Sequence, residues 1–280
     1  MPTASPPLVL SFAASDPSGG AGIQADLLTL SSMGCHALSA LTAVTVQDTA
    51  GVDDVFPIDS DWLSDQARLI LEDMPVSVFK IGLIGSVENV AAIAEILADY
   101  PDIPVILDPV LASGGGDELS DDNILEAIRD LLIPQATIVT PNSMEARRLA
   151  AGEDEDEDSL GLPMCAQRLI DMGASYVLIT GTHENTPQVV NTLYGPEGVI
   201  RTDSWERLPG SYHGSGCTLA SAIAATLANG LDVAEAVKEA QEYTWQTLAA
   251  AFRPGMGQAI PDRFFWAREE TEEENKEADA

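Results

Sequence analysis

Lysine is nearly absent from this 280-residue chain, which holds only Lys80, Lys238 and Lys276. Thirteen basic residues face 45 acidic ones, for a formal net charge of −32. Such a surface repels nucleic acid and anionic membrane, so neither is expected as a partner. Cysteine is scarce too: Cys35, Cys165 and Cys217 form no CxxC pair, which argues against a disulfide framework or a zinc site. No apolar run reaches membrane-spanning length, and the opening MPTASPPLVL lacks a basic leader region. A soluble, cytoplasmic protein is the expectation. No G-x-G-x-x-G opens a helix after the first strand, which disfavours a Rossmann dehydrogenase. Two acidic blocks, GEDEDEDS at 152–159 and REETEEENKEADA at the end, read as a solvated loop and a disordered tail. Acidity also runs through the rest of the chain, which suggests adaptation to high salt.

What is present is a regular alternation of strand and helix. Apolar runs at 8–14, 40–46, 78–84, 105–110, 137–140 and 176–180 read as strands. Helical periodicity occupies 23–33, 62–71, 90–97, 124–133, 164–172, 217–228 and 233–252, and 189–194 with 198–201 reads as a hairpin. Strands that are apolar without alternation, each followed by a helix, predict a mainly parallel sheet covered on both faces. The fold class is therefore a three-layer α/β domain, with bounds expected at 8–262 and a tail at 263–280.

In such sheets ligands bind beyond the carboxyl ends of the strands. The polar and glycine-rich segments fall at those ends: Asp16-Pro-Ser-Gly-Gly20, Gln47-Asp48, Gly82–Gly85, Asp108 with the SGGGD loop, Pro141-Asn142 with Glu145, and Thr180–His183. Six loops on one edge predict one elongated site. A seventh stretch, LPGSYHGSGCTLASAIAATLANG, runs from a kinked loop into an Ala/Leu/Ile-rich helix. Gly214-Ser215-Gly216-Cys217 is either a tight turn feeding a core helix or a cradle in which free amides and the helix dipole hold an anion. A thiol there is expected to ionise more easily than usual.

The segments SDPSGGAGIQADL, TAVTVQDT, KIGLIGS, LDPVLASGGG, VTPNSMEA, ITGTH and YHGSGCTLASAIAA occur in this order. Over about residues 8 to 252 this series resembles the hydroxymethylpyrimidine/phosphomethylpyrimidine kinases of thiamine biosynthesis, in the ribokinase-like superfamily. The resemblance implies a phosphotransferase using ATP and Mg²⁺ on a small pyrimidine. It implies a pyrimidine pocket made by Ala14, Asp26, Gln47 and Val110. It places Asp108 and Glu145 at the magnesium–phosphate region, and Asn142, Thr180, Gly181, Thr182 and His183 near the nucleotide. Gly214, Ser215 and Gly216 become the anion hole and Cys217 the acid–base residue; a homodimer is implied as well. The chain departs from its relatives in lacking two lysines expected near the phosphates, where it reads Thr180-Gly-Thr-His183 and SGGG. The charge of ATP then falls to Mg²⁺, backbone amides and His183 or His213, while Lys80 is expected to pair with a carboxylate. A pyridoxal kinase and a catalytically silent pyrimidine sensor are the competing readings.

Overall fold

The computed structural model describes residues 5–111, 120–152 and 155–268. The SGGG loop, two residues of the first acidic block and residues 269–280 lie outside the described residues.

Nine strands form one sheet in the order β3-β2-β1-β4-β5-β6-β7-β8-β9. Strand β1 (Leu8–Ser15) sits between β2 (His36–Gln47) and β4 (Val76–Ile81) and is parallel to both. From β4 the parallel pairing continues through β5 (Val105–Leu107), β6 (Ile138–Val139) and β7 (Tyr176–Ile179). Both margins are antiparallel. On one side β3 (Val52–Pro57) pairs back onto β2; on the other, β8 (Gln188–Gly195) and β9 (Gly198–Glu206) form a hairpin beside β7.

Helices cover both faces, which is why β1 is apolar along its whole length. Helices α2 (Ser60–Asp73), α3 (Val87–Asp99), α4 (Asp122–Ala127), α5 (Ser143–Ala150) and α6 (Leu162–Asp171) lie over Leu10, Phe12, Phe79 and Leu107. Helices α1 (Gly22–Ser32), α7 (Ser215–Ala228) and α8 (Val233–Ala249) lie over Val9, Val78, Ile106 and Leu178. The expected three-layer α/β architecture, with a mainly parallel sheet, is the one observed. The chain leaves β1 to build β2 on one side and later returns to build β4 on the other. The strand order thus reverses beside β1, and the crevice at that switch point is where such sheets receive ligands.

Several elements differ from the sequence reading for local reasons. Strand β3 was not anticipated: VDDVFP places two aspartates in an edge strand, where exposed side chains carry no apolar signal. Helix α5 is short, and its start is fixed by Asn142 and Glu145 in a reciprocal capping box. The helix expected over 124–133 is α-helical only to Ala127, then widens into a π turn and ends in a tighter 3₁₀ turn carrying Pro134. The folded part also continues past residue 262, because Arg263 is 2% exposed.

Candidate active site

Two glycine-rich loops meet at the switch point. In the first, Asp16 closes β1: its Oδ1 accepts the Ser18 amide at 2.8 Å, and its Oδ2 accepts the Ala21 amide at 2.6 Å. Gln24 reaches back from α1 to accept the Asp16 amide at 2.8 Å. The second loop leads into α7. Gly214 caps that helix in the left-handed region at φ +81°, and a Cβ there would lie 1.9 Å from the Gly20 carbonyl oxygen. Only glycine satisfies both conditions. The stretch is therefore a tight turn, and it is also more than that. Among the described residues no side chain caps α7, so the first-turn amides of Ser215, Gly216 and Cys217 have neither a helical nor a side-chain acceptor there.

His213 joins the loops. Its Nε2 lies 2.8 Å from Asp16 Oδ2 and 3.0 Å from the Gln47 side-chain nitrogen. A carboxylate only accepts, so Nε2 carries its proton toward Asp16. The Gln47 amide then fits better turned over, with its oxygen toward the imidazole and its NH₂ free to donate elsewhere. Burial alone would raise the Asp16 pKa; hydrogen bonds from His213, Ala21 and Ser18 outweigh it and bring the pKa down to about 2. The unfolded value of 3.8 lies above the folded one, so this contribution is complete above both values and vanishes as pH falls through about 2. It amounts to about 2 kcal/mol. In acid titrations followed by circular dichroism, the stability gap between wild type and Asp16→Asn is expected to shrink steadily from pH 5 to pH 2. A gap that stays constant would refute the assignment.

Behind the loops lies a buried polar cluster. Asp26 is fully buried on α1; its Oδ2 accepts from Ser11 at 2.6 Å and from Lys80 at 3.0 Å, and its Oδ1 accepts from Ser221 at 2.7 Å. The expectation that Asp26 meets a ring is corrected here: it is sealed from solvent and anchors Lys80. Lys80 does pair with carboxylates as expected, reaching Asp108 at 3.9 Å as well. Burial opposes its charge, but Asp26, Cys217 and Asp108 prevail and raise its pKa.

Asp108 ends β5 and faces the start of α7, where a Cβ on Gly216 would lie 3.8 Å from its Oδ1. It accepts a hydrogen bond from the Cys217 thiol, and burial holds its pKa up at about 6 despite Lys80. Its Oδ2 is buried with no hydrogen-bond partner. Glu145 is pushed up to about 8, first by burial and then by the charge of Asp108. Both Glu145 oxygens accept backbone amides, Leu111 at 3.3 Å and Asn142 at 2.9 Å. Cys217 runs against expectation: burial drives its thiol up to about 12, and Asp108 and Asp26 add to this against Lys80 and the Gly22 amide. The helix terminus does not overcome desolvation.

Ala14 and Val110 come together as expected, in a small apolar cluster with Ala43, Leu83 and Val55 at the ends of the central strands. The Thr180–His183 segment is joined to the start of α5, with the Ser143 amide donating to Thr180 O at 3.0 Å. Gly181 donates to Asn191 Oδ1 at 3.1 Å, and Thr182 O accepts from Arg207 at 2.8 Å. His183 is exposed; partial burial and the neighbouring Arg207 charge lower its pKa.

The segment after α8 was read as leading into a tail, and no site residue was expected from it. The Ala259 amide donates to Ser211 O at 3.0 Å, and its oxygen accepts the His213 amide at 2.8 Å. The Gln258 amide donates to Thr49 O at 2.7 Å. Arg263 then donates to Gly20 O at 2.5 Å and to Thr218 Oγ1 at 3.0 Å. An arginine beyond the last periodic helix carries no signal of burial. Ser11 and Ser221, polar residues at apolar-facing positions, carried one.

An uncapped helix start, a carboxylate oxygen with no hydrogen bond and a thiol meet at the switch point of the sheet, and the architecture is that of the ribokinase-like kinases. The profile of the phosphomethylpyrimidine kinase family matches residues 16–262, and the chain belongs to that family. It is 39% identical over 260 residues to a hydroxymethylpyrimidine/phosphomethylpyrimidine kinase of Streptomyces coelicolor, covering 91% of this chain and 94% of that one. It is also 39% identical to a thiamine biosynthesis bifunctional protein of Geobacter sulfurreducens, covering 89% of this chain and 50% of that one. Among solved structures, the ADP complex of Bacillus subtilis pyridoxal kinase superposes with a TM-score of 0.82 at 30% identity, covering 92% and 98% of the two chains.

Proposed function

We propose that this enzyme uses ATP to phosphorylate the hydroxymethyl group of 4-amino-5-hydroxymethyl-2-methylpyrimidine and then the resulting monophosphate, toward thiamine diphosphate. The observation that carries this reading is the meeting of Cys217, Asp108 and the free amides of α7 beside the apolar cluster of Ala14 and Val110. The cluster suits a methylated ring, and Gln47 supplies a donor at its margin. The amides of Ser215, Gly216 and Cys217 stabilise charge on the transferring phosphoryl group. Cys217 is protonated without ligand, so its proton passes to Asp108 as the sulfur takes the proton of the substrate hydroxyl. Asn142 and Thr180–His183 line the nucleotide side.

Among the described residues no group of three or more His, Cys, Asp or Glu is arranged to hold a metal. Mg²⁺ commonly needs only one or two carboxylates, with phosphate oxygens and water completing its shell. The residues fit that pattern: Asp108 Oδ2 is a buried oxygen with no hydrogen-bond partner, lying 3.9 Å from Lys80. The Glu145 carboxyl, largely protonated at neutral pH without the ion, would ionise beside a divalent cation. Bound there with the nucleotide, Mg²⁺ neutralises phosphate charge.

Side-by-side turnover of the pyrimidine and of pyridoxal tests the substrate. The close superposition on a pyridoxal kinase makes pyridoxal the competitor, and preferred turnover of pyridoxal would replace this reading. No turnover of either, with the pyrimidine still bound, would point to a sensor.

The same reading places the enzyme in the cytoplasm as a homodimer. Val44 and Phe56 pair across β2 and β3, and with Val46 they are 43%, 72% and 58% exposed in that order. Phe56→Glu is expected to shift sedimentation from dimer to monomer; unchanged sedimentation would place the interface elsewhere. A high-salt habitat accounts for the acidic surface. The melting temperature is expected to rise from low to molar salt, since the Debye length falls to about 3 Å at 1 M and carboxylate repulsion is screened. A flat or falling trend would rule this out.

A further inference from the structure

Arg263 is 2% exposed, and among the described residues its guanidinium hydrogen-bonds the carbonyls of Gly19 and Gly20 and the hydroxyl of Thr218. None of these partners is a carboxylate. Burial outweighs Asp16 and Asp26, which act on it without a hydrogen bond, so the cation is under-compensated. The other buried cation of the site, Lys80, is already shared between Asp26 and Asp108.

The location is as telling as the missing partner. Gly20 O, which accepts from Arg263, is the atom that a Cβ on Gly214 would strike. Thr218, the other anchor, follows Cys217 directly and donates to Gly214 O at 2.8 Å. The guanidinium thus bridges the two glycine loops at their contact, binding Gly20 O on one and Thr218 in the first turn of α7 on the other. Its own carbonyl is fastened by Ser32 at 2.6 Å and Tyr243 at 2.9 Å, so the group is held from both ends.

We propose that Arg263 is a positioning residue that locks the Gly19–Gly20 loop against the start of α7 and supplies the fixed positive charge for a nucleotide's phosphates. This inference rests on the kinase reading above. Arg263 acts through the loops and through its field, without touching the ligand. A neutral pyrimidine should sense its charge little, and a polyphosphate should sense it strongly.

The test is calorimetric titration of AMP-PCP and of hydroxymethylpyrimidine into wild type, Arg263→Met and Arg263→Lys, with the melting temperature of each. Removing the charge in Arg263→Met should weaken AMP-PCP about tenfold or more, as loss of a buried charge partner does, and the pyrimidine by less than about twofold. Arg263→Lys, which keeps the charge, should recover most nucleotide affinity. The stoichiometry of pyrimidine binding reports the folded fraction; if the methionine variant does not fold, Arg263→Gln, which keeps a donor for Gly20, takes its place. Equal weakening of both ligands, or lysine behaving like the neutral variant, would reduce Arg263 to a packing pin and overturn the proposal. Wild type that binds the pyrimidine but no nucleotide would overturn the kinase reading itself.

Discussion

Cys217→Ala is expected to lower kcat by about 10²–10⁴-fold with little change in KM or melting temperature. Alanine keeps the helix start and removes only the group that exchanges the proton. The thiol adds a second, independent readout. With its pKa pushed up to about 12 by burial, it is protonated throughout the neutral range in the ligand-free enzyme. Iodoacetamide should react slowly at pH 7 and faster as pH rises toward that value, the thiolate being the nucleophile. Rapid alkylation at neutral pH would contradict the burial; near-normal turnover by Cys217→Ala would leave the Gly-Ser-Gly turn an anion cradle with no catalytic thiol.

The largest stability effects are expected at Lys80 and Asp26. Both side chains are fully buried, 3.0 Å apart. Lys80→Met strands Asp26 among Ser11 and Ser221, and Asp26→Leu strands Lys80 beside Asp108. Either change should cost about 3–5 kcal/mol in urea unfolding, because the remaining charge stays buried without its hydrogen-bonded partner. Combining them should cost clearly less than the sum, since two apolar side chains of similar volume replace a desolvated pair. Single losses under about 1 kcal/mol, or strict additivity, would show that the two charges do not support each other.

The parallel sheet was legible because its strands are buried on both faces and read as mostly apolar runs without alternation; β1 and β4 show this even with Ser11 and Lys80 inside them. The β3 edge was not, since exposure removes the apolar signal and β3 carries Asp53 and Asp54, whereas the β8–β9 edge read as a hairpin. The glycine loops announced themselves by composition, whereas the expectation that Ala14 and Val110 share a pocket came from the family resemblance; the two do lie in one apolar cluster. What failed was the assignment of direction and surroundings. Asp26 lies within a site motif, yet its place on α1 turns it inward to Lys80. Cys217 begins a helix, yet its neighbours are carboxylates. Sequence position shows neither which face of a helix is inward nor the charges brought in by β4 and β5, and both decide what these residues do.

Arg263 reaches Gly20 across 243 residues of chain, a separation with consequences for how the enzyme is made. At roughly 5–20 residues per second of synthesis, the first glycine loop leaves the ribosome tens of seconds before the arginine that fastens it. Sheet and helices can pack in that interval, but the loops of the site cannot yet be tied together. The site is therefore expected to stay unfastened until the chain has grown through Arg263. A nascent chain stopped before Ala259 would have a nearly complete core and an unfastened site.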